Sequence, residues 1–115
     1  MDNNTVKRPW GDFTVIAEDA QAVKIIRVNP MTRLSLQTHE KRSEKWTPIT
    51  EGMLAIIGDG AVILEPFKTY VVDVGQVHRI MNYSNKVGII VETLHGEYDE
   101  DDIVRLEDDF GRDVL

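Results

Sequence analysis

Apolar residues recur in this chain with a period of two, in short runs broken by turn residues, and nowhere sustain the period of a long helix. Met53 to Ile57 and Ala61 to Leu64, joined by Gly58-Asp59-Gly60, read as the clearest hairpin. Phe13 to Ile16, Ala22 to Val28, Leu34 to His39, Lys45 to Ile49, Tyr70 to Asp73, His78 to Asn82 and Val87 to Leu94 read as further strands. Asn29-Pro30, Glu51-Gly52, Gly75 and Tyr83 to Lys86 supply turns between them. In the second of these strands Val23 and Ile25 face one way and Ile26 and Val28 the other, the pattern of a strand buried on both sides. Pro48 cannot donate to a ladder, so its strand is expected to be bulged or at an edge there. Arg8-Pro9-Trp10-Gly11 reads as a rigid turn with Trp10 as an apolar anchor, preceded by a polar, loosely ordered start from Met1 to Lys7. The one helical pattern is a short amphipathic piece around Asp101 to Leu106, with Asp102 as its cap. Short strands spaced in this way predict an all-β sandwich or barrel.

At 115 residues the chain fits a single domain, taken as 1–115, large enough to fold around its own core. It has no cysteine, which excludes disulfides and thiolate metal sites. No apolar run is long enough to cross a bilayer and the polar start is no signal peptide, so a soluble, cytoplasmic protein is expected. The net charge of -7, concentrated from Glu97 to Asp113, argues against nucleic acid or a membrane surface as partner. A phosphorylated small molecule would need a local basic pocket, for which Arg8, Lys41, Arg42, Arg79, Arg105 and Arg112 are the candidates.

Charge and polarity converge on Arg33 to Trp46, RLSLQTHEKRSEKW. Strand alternation puts Ser35, Gln37 and His39 on one face, and a charged turn then returns the chain with Glu44 close to His39. His78, after the Gly75 turn, can bring a second imidazole to the same end of a barrel. Imidazole, carboxylate and amide oxygen are ligand types that a divalent first-row metal accepts.

The pattern Gln37-x-His39 with Arg42-x-Glu44-x-Trp46, followed by Gly75-x-x-His78-Arg79-x-x-Asn82, resembles the two motifs of the cupin superfamily. More narrowly it is similar to type II mannose-6-phosphate isomerases, both the small stand-alone ones and the C-terminal domains of bifunctional GDP-mannose-forming enzymes. Arg8-Pro9-Trp10-Gly11, Gly96-Glu97-Tyr98, Asp101 to Arg105 and Gly111-Arg112 carry the likeness along the chain. The resemblance implies a cupin fold, a double-stranded β-helix of jelly-roll type, here with a short helical or irregular C-terminal tail. It also implies a divalent metal (zinc, manganese or iron) held by His39, Glu44 and His78. Gln37 is either a fourth ligand or a hydrogen-bonding residue that orients His39. Arg8, Arg105 and Arg112 are the implied substrate-binding residues, and Lys41, Glu44 and Arg79 the candidate catalytic ones.

The chain departs from the family where Lys41 and Lys45 replace histidines and Leu94 replaces a common glutamine. Lys41 beside a metal would be a candidate base with lowered proton affinity; a salt bridge to Glu40 or Glu44 is the alternative. Three functions stay open. One is metal-dependent interconversion of mannose 6-phosphate and fructose 6-phosphate through an enediol. Another is a non-catalytic cupin that binds a sugar, nucleotide sugar or small anion, and the third is an isomerase or epimerase of another sugar phosphate. The chain has no phosphate-cradling glycine loop and is not expected to make GDP-mannose by itself. A homodimer is expected, because a small sandwich exposes edge strands that need covering and Trp10 and the N-terminal strand are available to cross over.

Overall fold

The computed structural model describes residues 4–18 and 21–112. Its elements are twelve strands: β1 (Asn4–Arg8), β2 (Gly11–Glu18), β3 (Gln21–Val28), β4 (Thr32–Arg33), β5 (Leu36–Thr38), β6 (Arg42–Pro48), β7 (Met53–Ile57), β8 (Gly60–Leu64), β9 (Tyr70–Val72), β10 (His78–Asn82), β11 (Gly88–Gly96) and β12 (Val104–Glu107). They form two antiparallel sheets, ordered β1-β2-β3-β11-β6-β9 and β12-β5-β10-β7-β8, with β4 added to β10. No helix among the described residues is long and apolar enough to cross a membrane.

Alternation explains which residues meet between the sheets. On β11, Ile90, Glu92 and Leu94 are buried while their neighbours are only partly so, and β6 repeats the pattern with Arg42, Glu44, Trp46 and Pro48. Phe13, Ile26, Trp46, Val72 and Ile90 from one sheet pack with Met53, Ala55, Leu64 and Ile80 from the other in a single core. Fully buried side chains such as Ile90 and Met53 each contribute roughly 1.5–3 kcal/mol by leaving water. The apolar residues fill one part of the space between the sheets. Inward polar residues line the rest, so the barrel has a cavity at that end.

Two expectations from sequence need correction. The start is ordered from Asn4, because β1 pairs with β2 from Asn4↔Val15 to Arg8↔Gly11; Met1 to Asn3 lie outside the described residues. Trp10, read as an apolar anchor, is buried in the core of its own chain. The stretch read as an amphipathic helix contains a strand instead: β12 pairs with β5, Val104 opposite Thr38 and Arg105 opposite Gln37. Pairing along β5 satisfies the backbone of this acidic segment better than one isolated helical turn would. Pro48 ends β6 beyond the last β9 partner, Trp46↔Tyr70, so the missing donor falls where that ladder has already stopped.

Candidate metal centre and cavity

Three strands and two turns deliver the central residues. His39 follows β5, Glu44 lies on β6 and His78 opens β10, after a turn in which Gly75 takes a φ of 75° that an L side chain rarely adopts. One ligand atom from each of His39, Glu44 and His78 lies within 4.8 Å of the others, and all three residues are buried. His39 Nε2 is 3.2 Å from Glu44 Oε2, and His78 Nε2 is 3.8 Å from Glu44 Oε1. The imidazoles are held from behind: His39 Nδ1 is 2.6 Å from the carbonyl of Asp102 and His78 Nδ1 is 2.9 Å from that of Gln76. A carbonyl oxygen can only accept, so each Nδ1 carries the proton and each Nε2 presents a lone pair to the site.

The electrostatics match that arrangement. Burial pushes His39 down to about 4 and lowers His78 as well, so both rings are neutral near pH 7. Burial alone would raise Glu44, but His78, His39 and Arg42 together outweigh it and hold the carboxyl down to about 2. At neutral pH, with the rings uncharged, Arg42 is the counter-ion. Its Nε and Nη2 lie 3.0 and 2.9 Å from Glu44 Oε2, and Nη2 lies 3.3 Å from His39 Nε2. Arg42 Nη1 is buried without a hydrogen-bond partner among the described residues. Trp46 Nε1 donates to Glu44 Oε1 at 3.0 Å and to Glu92 Oε2 at 3.2 Å. Burial, with the Glu44 charge beside it, pushes Glu92 up to about 8. Two neighbouring carboxyl groups are thus driven apart, one ionised and one protonated.

Two neutral imidazoles and an ionised carboxylate fit a divalent first-row metal, and Glu44 would then be shared between the ion and Arg42. Gln37 lines the same cavity, and its amide nitrogen donates to Ser35 Oγ at 2.9 Å and Ser35 O at 3.3 Å. The amide oxygen is therefore the end left for a ligand. Arg8, Arg105 and Arg112 also line the cavity, which has a volume of about 80 Å³ and opens to solvent. Arg112 is gripped by Asp108 through contacts of 2.7 and 3.0 Å.

Two of the candidate catalytic residues lie elsewhere. Lys41 projects into solvent, where Glu97 at 3.1 Å and Asp99 at 3.4 Å hold its ammonium and raise rather than lower its proton affinity. Neither Glu40 nor Glu44 is its partner, because the turn after His39 points position 41 away from the barrel. Arg79, next to inward-facing His78, faces the opposite side of β10. There its Nε donates to Leu34 O at 2.9 Å and its Nη1 meets Glu107 at 3.2 Å, which ties the C-terminal segment to the sheet.

The sequence reading missed Lys24, Glu92 and Glu100 as cavity residues. Lys24 is buried and bonds Glu100 at 2.9 Å, with its ammonium over the rings of Phe13 and Tyr98. Lys24, Glu92 and Trp46 stand side by side across β3, β11 and β6. The signal was parity: Lys24 shares a strand face with Ile26 and Val28, and Glu92 shares one with Ile90 and Leu94, so each is a charged residue on an apolar face.

Residues 1–108 match the family described as Mannose-6-phosphate isomerase C-terminal. Over 109 residues the chain is 36% identical to the alginate biosynthesis protein AlgA of Pseudomonas aeruginosa and to the xanthan biosynthesis protein XanB of Xanthomonas campestris. It is 34% identical over 110 residues to the mannose-1-phosphate guanylyltransferase of Escherichia coli. Each alignment takes in 93% of this chain but 23% of the relative, so the chain spans about a quarter of these curated proteins. Among solved structures, the capsular polysaccharide assembling protein CapF of Staphylococcus aureus superposes with a TM-score of 0.78 at 17% identity, covering 93% of this chain and 33% of that one. A cupin-2 domain from Rhodospirillum rubrum gives 0.73 at 12% identity, covering 86% and 72%. These two likenesses show the fold, an all-β cupin.

Proposed function

Because the chain belongs to the mannose-6-phosphate isomerase C-terminal family, we propose that its cavity binds a divalent metal and a sugar phosphate and interconverts mannose 6-phosphate and fructose 6-phosphate. The observation that carries this reading is the convergence of His39, Glu44 and His78 within 4.8 Å on a cavity lined by Arg8, Arg105 and Arg112. His39, Glu44 and His78, with the Gln37 oxygen as a further donor, would hold the metal, which when bound supplies Lewis-acid stabilisation of negative charge on a substrate oxygen.

The residues of the chain divide the remaining work. Arg8, Arg105 and Arg112 bind the phosphate, a task suited to the guanidinium fork. Arg42, with Nη1 buried and without a hydrogen-bond partner among the described residues, donates to a sugar oxygen as it gains charge. Moving a proton between neighbouring carbons through an enediol needs a group that titrates near working pH, and Lys41 is outside the cavity. Glu92 replaces it in this scheme: burial and the Glu44 charge push its carboxyl up to about 8 in the metal-free protein, and with a cation held by Glu44 it would come down toward working pH, where it takes and returns a proton. Tyr98 and Glu100, joined by a short hydrogen bond, and Lys24 help close the site against water.

The test is metal analysis of purified protein together with a coupled assay of mannose 6-phosphate conversion. Metal at one equivalent per chain and turnover abolished by chelation are expected; metal-loaded protein without turnover would refute isomerisation. The exposed placement of Lys41 favours a second reading, a cupin that binds the sugar phosphate without converting it, and calorimetric binding in the absence of turnover would select it. The expected homodimer remains part of the proposal, through the edge strands β1, β8, β9 or β12. Light scattering that shows a monomer at micromolar concentration would remove it.

A further inference from the structure

One residue of the C-terminal segment contacts the turn between β5 and β6 at three points. The Asp102 carboxylate accepts the Glu40 amide on Oδ1 and the Lys41 amide on Oδ2, each at 2.9 Å, while its own carbonyl accepts a hydrogen bond from His39 Nδ1 at 2.6 Å. Asp102 is itself buried, and local turns shape its backbone, with Asp102 N donating to Asp99 O and Ile103 N to Asp101 O. Ion pairs along the same segment hold it down: Lys24 with Glu100, Lys41 with Glu97 and Asp99, Arg79 with Glu107 and Arg33 with Asp109.

His78 is arranged differently. Its Nδ1 donates to Gln76 O, two residues earlier in its own turn, and needs nothing from the C-terminal segment. The two imidazoles are thus fixed by separate devices, one local and one remote in sequence by 63 positions.

We infer that Asp102 is a positioning residue: by clamping the Glu40 and Lys41 amides it holds its own carbonyl on His39 Nδ1, so that docking of the C-terminal segment sets the ligand-ready tautomer of His39. This rests on the metal reading above for its consequence but not for its first measurement. Without the carboxylate, the Asp102 carbonyl is no longer locked to the turn, and the His39 proton is free to move to Nε2, which removes the lone pair from the site. Ring-orienting partners of this kind typically change metal affinity about 10–100-fold.

The experiment is long-range proton–nitrogen correlation NMR of the imidazoles in metal-free protein, with zinc and manganese titrations of the same samples. In the wild type, His39 and His78 should both be Nδ1-protonated. In Asp102→Ala, His39 should shift toward Nε2 protonation while His78 stays unchanged, and affinity for zinc or manganese should fall about tenfold or more. Asp102→Asn, which keeps one acceptor oxygen, should restore part of both effects, and it serves as the variant if alanine prevents folding. The inference is overturned by Nε2-protonated His39 in the wild type, by a folded variant whose His39 tautomer does not move, or by a shift of both histidines together, which would mean general loosening. A His39-specific shift in protein that binds neither metal supports the positioning role and instead refutes the metal reading.

Discussion

Replacing Glu92 by glutamine should make the metal-free protein more stable in alkaline solution and leave it unchanged in acid. The folded carboxyl lies at about 8 against an ordinary 4.5, so the folded state binds the proton more tightly than the unfolded chain. For a raised acid, stability is fully present below the unfolded value, declines as pH rises between the two, and stays low above the folded value. At about 1.4 kcal/mol per unit, the whole shift amounts to at most roughly 5 kcal/mol, less whatever is relieved when a slight opening admits water. Glutamine has the same shape, still offers an oxygen to Trp46 Nε1 and carries no charge to bury. His39 and His78 pull in the opposite sense: their folded values lie below the ordinary one, so they lower stability only as pH falls through that range. They are common to both proteins, and the difference between the two melting curves isolates Glu92. Thermal melts in a chelator at constant ionic strength should give matching midpoints near pH ~5, and near pH ~9 a Glu92→Gln midpoint higher by on the order of 10 °C. Curves that run parallel across this range would show that Glu92 is ionised in the fold, and its assignment as the proton carrier would fall with them.

Arg42→Met leaves the buried Glu44 carboxylate without its counter-ion and should destabilise metal-free protein by about 3–5 kcal/mol in a denaturant titration, with most of the loss recovered on adding zinc if the metal reading holds. Lys41→His exchanges an exposed ammonium for a ring outside the cavity, so calorimetry should show metal affinity changed by less than about threefold; a large gain would mean that the turn reorients to offer the ring as a ligand. Gly96→Ala should cost about 1–3 kcal/mol, since Gly96 has a φ of 124° and an added Cβ would lie 2.4 Å from the Lys41 carbonyl; an unchanged denaturation midpoint would show that this corner yields freely.

Local chemistry made the hairpin β7–β8 and the cluster His39, Glu44 and His78 legible in the chain, because a glycine turn and a period of two each act over a few residues. The same period marked Lys24 and Glu92, but only to a reading that compares each charged residue with the apolar face it shares. Long-range pairing was not legible. Nothing near Asp102 announces that its carboxylate will meet amides at 40 and 41, and its position ahead of an amphipathic stretch suggests a helix cap. The capping chemistry was right and the recipient wrong: the side chain does satisfy two backbone N–H groups, but on a turn 61 and 62 positions away in sequence. Lys41 and Arg79 lie outside the cavity for different reasons: the turn after His39 carries Lys41 away from the barrel, whereas Arg79, adjacent to inward-facing His78 on an extended strand, takes the opposite face. Arg79 holds Glu107, and Lys41 holds Glu97 and Asp99, so both cations, outside the cavity, anchor the acidic segment that carries Asp102. Weakening those ion pairs with salt should therefore loosen Asp102 before it disturbs His78, an order that hydrogen exchange at the Glu40 and Lys41 amides can follow directly.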